Sequence, residues 1–255
     1  MQTAVIKLIT VILISGFSLL AKAEPNTTPV NFAIGEWPPY TSEKTTAYLE
    51  SVVEEIFVSQ GYEVEFNYYP WKRSYEKVRL GESVATFPWF IDTDRKDVQN
   101  FFISDQSITD ANEVFFYRKS KAFDWQEYSD LKGLRIGGVV GYSHVTRLKK
   151  HGLDVNLVSS ENQLFLMLAA GRLDIVPANQ KTGWHIIKQY VAKEKQALLT
   201  THPHPLMQDS MYVFFSRQHV QGRYFSEVFD KGMKQLKASG RYQELADKVM
   251  KDYSE

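Results

Sequence analysis

Aromatic rings beside proline or glycine, together with an arginine, an amide and a hydroxyl, are the side chains of this sequence that could recognise another molecule. Rings offer flat apolar faces, an arginine offers a planar fork of donors for an anion, and amides and hydroxyls make single hydrogen bonds. This mixture is typical of a site that binds a small polar solute. The candidates are Trp37, Tyr40, Trp89, Phe90, Arg95, Tyr142, Ser143 and Asn179.

Other kinds of chemistry are represented only by incomplete patterns. Gly141-Tyr142-Ser143-His144-Val145 lacks the final glycine of a serine-hydrolase nucleophile elbow. His202-Pro203-His204 has no third ligand nearby, which favours a surface loop over a metal site. The sequence has no Walker or dinucleotide fingerprint. We therefore expect no catalytic residue, no metal and no cofactor.

The elements that must position the candidates follow a repeated strand–helix order. Apolar runs and alternation predict strands, and apolar stripes that end at glycine predict helices. In the first unit the predicted strands are 30–35, 62–69 and 84–87, with helices at 49–57 and 71–80 between them. In the second unit the predicted strands are 134–140, 155–158 and 174–177. One predicted helix is opened by 141–144, and the others are at 164–168 and 179–190. Right-handed crossovers would make the strands of each unit parallel.

Two extended apolar segments, 113–117 and 211–215, join the units, and two helices close the chain. If the chain crosses to the second unit and later returns, the two crossings lie side by side as a hinge. Closure about such a hinge around a ligand is an established type of motion. We expect an α/β fold with one lobe from 24–113 plus 216–255 and a second lobe from 114–215.

The candidate residues lie in the loops that follow strands. Ligands of open α/β sheets bind at the carboxyl ends of the strands, where such loops converge. The loops at 36–40, 87–95, 141–144 and 177–182 are therefore expected to form one site, which also places Gln180 near it.

Residues 1–23 have the pattern of a secretory signal peptide. The apolar run from Leu8 to Leu20 is too short for a membrane span, which needs about 20 residues, and Ala21-Lys22-Ala23 is an expected cleavage site. The absence of cysteine excludes a lipid anchor at that site, a disulfide and a thiolate metal site. We expect a periplasmic protein that is not inserted in the membrane after cleavage.

The charge balance argues against a nucleic-acid partner. The leader carries Lys7 and Lys22, so 28 of the 30 basic residues remain in the mature chain against 30 acidic ones. Phosphate binding needs a basic surplus. Nothing in the sequence indicates an oligomer, so a monomer is expected.

Seven short segments, in this order, give the chain a resemblance to a known family. They are Pro38-Pro39-Tyr40, Pro70-Trp71-Lys72-Arg73, Asp92-Thr93-Asp94-Arg95, Phe102-Ile103-Ser104-Asp105, Leu131-Lys132-Gly133 with Gly137, Ala169-Ala170-Gly171-Arg172-Leu173-Asp174, and Leu236-Lys237-Ala238-Ser239-Gly240. Together they resemble the family 3 extracellular solute-binding proteins, the polar amino-acid receptors of bacterial ABC importers, over nearly the whole mature chain. The resemblance implies a type II periplasmic binding fold, with two Rossmann-like lobes and two hinge strands.

The resemblance also implies roles for individual residues. Arg95 is similar to the arginine that pairs with a ligand carboxylate, and Tyr142-Ser143 resembles the second-lobe loop that holds the same group. Trp37 falls where the family places a stacking ring, and Arg73 becomes a further candidate for the pocket. The partners implied are a small solute and either an ABC permease or a membrane sensor.

Departures from the family pattern bear on the ligand. Asn179 stands where members that bind α-amino acids carry an acid for the ligand ammonium, and Val84 replaces an aspartate of the first lobe. Pro88-Trp89-Phe90 occupies a loop that is usually rich in small hydroxyl residues. An amide cannot neutralise an ammonium group, so these changes argue against an ordinary α-amino acid.

Two alternatives to a transport receptor remain open. The periplasmic cyclohexadienyl dehydratases resemble this family and act on prephenate or arogenate, for which they need a placed acid. The stretch 177–182 has no carboxylate, and Glu36 is the one acid expected in the first-lobe loop. The other alternative is a ligand-sensing receptor partner without a permease.

Overall fold

The computed structural model describes residues 29–45, 47–91 and 98–253. The predicted signal peptide, 1–23, therefore lies outside the described residues. The strands are β1 Val30–Ile34, β2 Val64–Tyr68, β3 Ala85–Phe90, β4 Phe101–Ile103, β5 Thr109–Arg118, β6 Ile136–Val139, β7 Val155–Val158, β8 Ile175–Asn179, β9 Leu199–Thr201 and β10 Met207–Ser216. The helices are α1 Tyr48–Val58, α2 Trp71–Arg79, α3 Ser143–Lys150, α4 Glu161–Ala169, α5 Gln180–Tyr190, α6 Lys193–Gln196, α7 Gly222–Ala238 and α8 Arg241–Met250.

The two predicted α/β units are confirmed as two lobes. In the first lobe β1 pairs in parallel with both β2 and β3. In the second lobe β6 pairs in parallel with both β7 and β8. Each lobe therefore has the short parallel sheet that right-handed crossovers impose.

The strands that contain the two joining segments lie side by side, although the residues that pair are 109–113 and 207–211 rather than the predicted 113–117 and 211–215. β5 and β10 are antiparallel, with Met207 opposite Glu113 and Met211 opposite Thr109. They connect the two parallel sheets into one hydrogen-bonded path, in the order β2-β1-β3-β10-β5-β8-β6-β7. The lobes are thus linked by paired extended strands, a geometry that allows one lobe to rotate on the other.

The predicted end of the third strand is wrong. The strand expected at 84–87 continues through Pro88, Trp89 and Phe90, which the sequence placed in a loop. The extension occurs because β10 pairs with this part of β3, with Met211 opposite Phe90 and Tyr212 opposite Trp89. Such pairing joins residues more than a hundred positions apart, so local patterns cannot reveal it.

Separate hydrophobic cores lie on the two sides of the hinge strands. The core of the first lobe combines β1, α1 and β3 with α7 and α8 from the end of the chain. Two further clusters contain buried residues from Val114 to Leu206 and belong to the second lobe. The first-lobe core thus contains residues from both ends of the described chain. Among the described residues, no helix is both long enough and apolar enough to cross a membrane.

Candidate functional site

A cavity of about 200 Å³ lies between the lobes, at the carboxyl ends of strands from both. Its first-lobe wall comes from the loop after β1 and the start of α2. Its second-lobe wall comes from the starts of α3 and α4 and from most of the length of α5. The lining residues are Glu36, Trp37, Pro38, Trp71, Tyr142, Glu161, Asn162, Thr182, His185, Ile186, Gln189 and Tyr190. The volume is below the 300–1,000 Å³ typical of drug-sized ligands, so it suits a small metabolite.

The first-lobe wall is a rigid aromatic turn. The Trp37 and Tyr40 rings are stacked with centroids 4.2 Å apart, and the Thr41 hydroxyl donates to the Gly35 carbonyl at 2.7 Å. Gly35 has no room for a side chain, because a Cβ there would lie 2.5 Å from the Trp71 ring. The glycine therefore lets the turn pack directly on α2, and it places Trp37 and Trp71 in the same wall.

The second-lobe wall combines a tyrosine with a carboxyl group. Tyr142 immediately precedes α3 and is 40% exposed, so its ring is available to the cavity. Burial of the Tyr142 hydroxyl raises its pKa well above the usual value, and the negative charge of the adjacent Glu161 adds to the increase. Glu161 is the first residue of α4 and follows the carboxyl end of β7.

Glu161 belongs to a compact cluster of ionisable groups at the second-lobe wall of the cavity. Burial, the largest effect, raises the pKa of Glu161 to about 7, and the negative charge of Glu113 adds to it. His144 and the Tyr142 hydroxyl partly offset the increase. The His144 Nδ1 atom lies 3.6 Å from a Glu113 carboxylate oxygen, and His144 itself is only 2% exposed. A cleft carboxyl with a pKa near neutrality is typical of functional sites.

Asn179 ends β8 and caps α5. Its side-chain oxygen accepts from the backbone N–H groups of Lys181 at 3.0 Å and Thr182 at 3.1 Å. Its side chain also faces the Tyr40 hydroxyl of the first lobe. Burial raises the pKa of Tyr40 to about 12, and the interaction with Asn179 offsets part of the effect of burial. Asn179 is thus a structural cap at the contact between the lobes.

The predicted site residues divide into two groups. The structure brings Trp37 and Tyr142 together around the cavity, with Tyr40 stacked behind Trp37 and Asn179 beside Tyr40. Arg95, the predicted carboxylate partner, lies outside the described residues.

The remaining candidates do not line this cavity. Arg73 is on the exposed face of α2, with its guanidinium 5.1 Å from the centre of the Tyr69 ring. Trp89 donates from Nε1 to the Thr86 hydroxyl at 3.0 Å and packs against Tyr75. Phe90 is paired in the sheet, Gln180 binds Asn112 through its amide oxygen, and Ser143 is exposed at the start of α3.

The cavity residues missed by sequence reasoning include Glu161, Trp71 and His185. Glu161 carries a signal that could have been used, because it is an acid in the short segment between the predicted strand at 155–158 and the predicted helix at 164–168. Trp71 stands in a segment that supports the family resemblance, but its approach to Trp37 depends on the packing of α2 against Gly35. His185 is one turn into α5, and no local pattern marks it.

A larger cavity, about 670 Å³, lies on the hinge side. It is lined by Tyr40, Tyr48, Thr109, Asp110, Lys181, Tyr242, Gln243, Ala246, Asp247, Met250 and Lys251. Most of these residues come from α8 and the start of β5 rather than from loops after parallel strands. We therefore take the smaller cavity, which lies at the strand ends of both lobes, as the candidate site.

Comparison by sequence finds no matching family model and no matching curated protein. Comparison by structure finds many similar solved proteins. The ligand-binding core of GluR0 from Nostoc punctiforme, in complex with L-glutamate, has a TM-score of 0.67 and 19% identity, over 87% of this chain and 99% of that one.

Two other similar structures have different roles. A histidine kinase sensor domain with similarity to periplasmic binding proteins has a TM-score of 0.67 and 17% identity, over 87% of this chain and 96% of that one. A structure from work on glutathione import through GshT and the cystine ABC importer of Streptococcus mutans has a TM-score of 0.68 and 16% identity, over 89% of this chain and 97% of that one. These likenesses confirm the fold, the two-lobed type II periplasmic binding fold.

Proposed function

We propose that this chain is a periplasmic solute-binding protein of the family 3 type, which closes its two lobes on a small polar solute. The observation that carries the proposal is the cavity between the lobes, with Trp37 and Trp71 on one wall and Tyr142 and Glu161 on the other. A ligand that contacts both walls binds the closed arrangement more tightly than the open one. This difference in affinity sets how far the ligand shifts the protein toward the closed arrangement.

The hinge supports the closing motion. β5 and β10 are the crossing strands, and each hydrophobic core lies almost wholly on one side of them. We place the boundaries of the lobes at 24–113 plus 216–255 and at 114–215. Rotation about the paired strands would change the width of the cavity without disrupting either core.

We propose that the closed form is delivered to an ABC importer. Structures with this fold include one from work on glutathione import through an ABC importer, and another that is a histidine kinase sensor domain. Delivery to a permease and signalling through a membrane sensor use the same closure, so the sensor is the second partner we consider. We expect the protein to act as a monomer after the leader is removed.

We propose that Arg95 pairs with an acceptor group of the solute. The family resemblance implies this role, and a planar guanidinium can bind a carboxylate through two parallel hydrogen bonds. Replacing Arg95 with alanine is expected to weaken solute binding about tenfold or more, since charged hydrogen bonds contribute roughly 1.5–3 kcal/mol. Arg172→Ala, at an exposed position of the second lobe, is the matched control in calorimetric titration. Equal affinity in the two variants would exclude this role for Arg95.

The dehydratase-like alternative gains one specific observation. Sequence reasoning identified no acid in the second-lobe wall, whereas Glu161 lies there with its pKa raised to about 7 by burial. A carboxyl that keeps its proton near neutral pH can act as a general acid. Formation of an aromatic product from prephenate or arogenate would favour this alternative over a binding function.

The proposed function is tested first by thermal-shift screening. Amino acids, organic acids, small peptides, polyamines and aromatic metabolites would each be added to the purified protein. A solute that binds only the native state stabilises it by about 2.7 kcal/mol at a hundredfold excess over Kd. A clear increase in Tm with one chemical class is the expected result, and no increase with any compound would contradict the proposal.

A further inference from the structure

We propose that Tyr253 is a positioning residue for the cavity between the lobes. It braces α5 of the second lobe against the first lobe, and so favours the arrangement in which the two cavity walls face each other. The inference rests on the proposed solute-binding function, because it concerns how strongly the protein populates the arrangement that binds the solute. It is carried by the contacts of Tyr253 with both lobes and by the double role of His185.

Tyr253 belongs to the first lobe by its packing. It lies in the 3-10 turn Lys251–Tyr253, which directly follows α8. Its partly buried ring packs against the hydrophobic core of the first lobe, as do Tyr242 and Val249 of α8. The turn is therefore held by the first lobe and would move with it in any rotation of the lobes.

The Tyr253 ring also reaches the second lobe. Its centre lies 5.1 Å from that of the His185 ring and 5.9 Å from the Lys188 Nζ atom, and both residues are on α5. One turn earlier on α5, the Lys181 Nζ atom lies 3.5 Å from the Met250 carbonyl oxygen. A ring pair and a cation near a ring both attract at these distances. These contacts form a brace between the lobes.

His185 connects the brace to the cavity. It lines the cavity between the lobes and also contacts Tyr253. Burial lowers the pKa of His185 below its usual value, so at neutral pH the imidazole is uncharged and meets the tyrosine as a ring. Ile186 and Gln189 of the same helix line the cavity as well. The position of α5 that makes the brace is therefore the position in which α5 forms the second-lobe wall.

The brace must change when one lobe rotates on the other. α5 belongs to the second lobe, since Trp184 and Ile187 are part of its core and β8, which leads into α5, pairs with the hinge strand β5. The brace exists in the arrangement in which the walls face each other, so its loss lowers the population of that arrangement. A smaller population of the binding-competent arrangement weakens the apparent solute affinity by the same factor.

The first measurement is the distance between the lobes without any solute. Spin labels at Lys72→Cys on α2 and Leu166→Cys on α4 are at exposed positions of opposite lobes. We expect Tyr253→Ala to lengthen the mean distance between the labels and to broaden its distribution. Tyr253→Phe keeps the ring, so it should give the same distance as the labelled chain that retains Tyr253.

Two further variants separate the brace from a general loss of packing. Tyr224 is 51% exposed on α7, and its ring contacts Tyr62 and Phe225 of its own lobe. Tyr224→Ala is therefore the matched control, and it should leave the distance between the lobes unchanged. Lys188 is exposed on α5 and does not line the cavity. Lys188→Ala removes the cation of the brace from the other lobe, so it should lengthen the distance by a smaller amount than Tyr253→Ala does.

The second measurement is calorimetric titration with the compound of the thermal-shift panel that raises Tm most. We expect Tyr253→Ala to bind this compound roughly three- to tenfold more weakly, the loss that one ring pair and one cation near a ring correspond to. Tyr253→Phe and Tyr224→Ala should bind it as the unaltered chain does.

A merely structural role for Tyr253 would lower the free energy of unfolding and leave the distance between the lobes unchanged. That result would overturn the brace, as would a shorter distance with tighter binding in Tyr253→Ala. If Tyr253→Ala does not fold, an unchanged distance in Lys188→Ala would overturn it instead. Binding of no compound by the unaltered chain would contradict the proposed function, whereas the distances without solute would still decide the brace.

Discussion

Replacing Phe32 with alanine is expected to lower the free energy of unfolding by about 3–5 kcal/mol. Phe32 is fully buried in β1, and its ring contacts those of Phe57, Phe66 and Phe87 at centroid distances of 5.5, 5.7 and 5.6 Å. The substitution removes apolar area, leaves a cavity and breaks three ring contacts.

The measurement is urea unfolding of Phe32→Ala, with Val58→Ala as the control. Val58 is a large apolar residue of the same lobe but is 60% exposed, so its loss should change stability by less than about 0.5 kcal/mol. Phe32→Leu should fall between the two. A loss below about 1 kcal/mol for Phe32→Ala would contradict the central place of this ring in the first lobe.

The second large effect is a fall in stability as the pH rises from about 5 to 8. Glu50 is 7% exposed and accepts hydrogen bonds from the Ser42 backbone and the Tyr68 hydroxyl. Burial is the largest effect on Glu50, and it raises the pKa from 4.5 to about 7 despite those bonds. The native state then binds the proton more tightly than the unfolded state does.

The sign follows from proton binding. Below about pH 4.5 both states hold the proton and the contribution of Glu50 is complete, whereas above about pH 7 both have released it and the contribution is lost. The shift corresponds to about 3 kcal/mol at most, and solvent screening reduces it to about 2 kcal/mol. Glu161 adds a change of the same sign over the same range.

Chemical unfolding at pH 5 and pH 8 measures this effect. Glu50→Gln keeps an oxygen that can accept the same hydrogen bonds, but its side chain cannot titrate. Between pH 5 and pH 8, its free energy of unfolding should therefore fall by about 2 kcal/mol less than that of the unaltered chain. Glu54→Gln, at an exposed position of the same helix, should behave like the unaltered chain. Identical pH profiles for Glu50→Gln and the unaltered chain would show that Glu50 does not titrate in this range.

Most of the fold can be predicted from the sequence, because the patterns that indicate its strands and helices are local. The predicted strand at 155–158 and the helices around 49–57 and 179–190 match the observed elements closely. Gly61, Gly81 and Gly171 follow helices as predicted, and each has a positive φ that favours glycine. The order of these elements is enough to predict two lobes and a double crossing.

Less of the site can be predicted from the sequence, because its geometry depends on contacts between distant segments of the chain. Trp37 and Tyr142 could be predicted from their loops, since both follow strands of the parallel sheets. Trp89 could not, because pairing with β10 draws it into the sheet and toward Tyr75. Glu161 could not be joined to Tyr142 and His144 from sequence, because their approach depends on where the starts of α3 and α4 lie relative to each other.

The most direct test of the proposed closure is a distance measured between the lobes. The chain has no native cysteine, so two introduced cysteines can be labelled specifically. Lys72→Cys on α2 and Leu166→Cys on α4 place spin labels at exposed positions on opposite lobes. Lys72→Cys with Val58→Cys gives a reference pair within the first lobe. With the solute that gives the largest thermal shift, we predict that the distance between the lobes shortens and its distribution narrows, while the reference distance stays constant. An unchanged distance between the lobes at saturating solute would contradict closure.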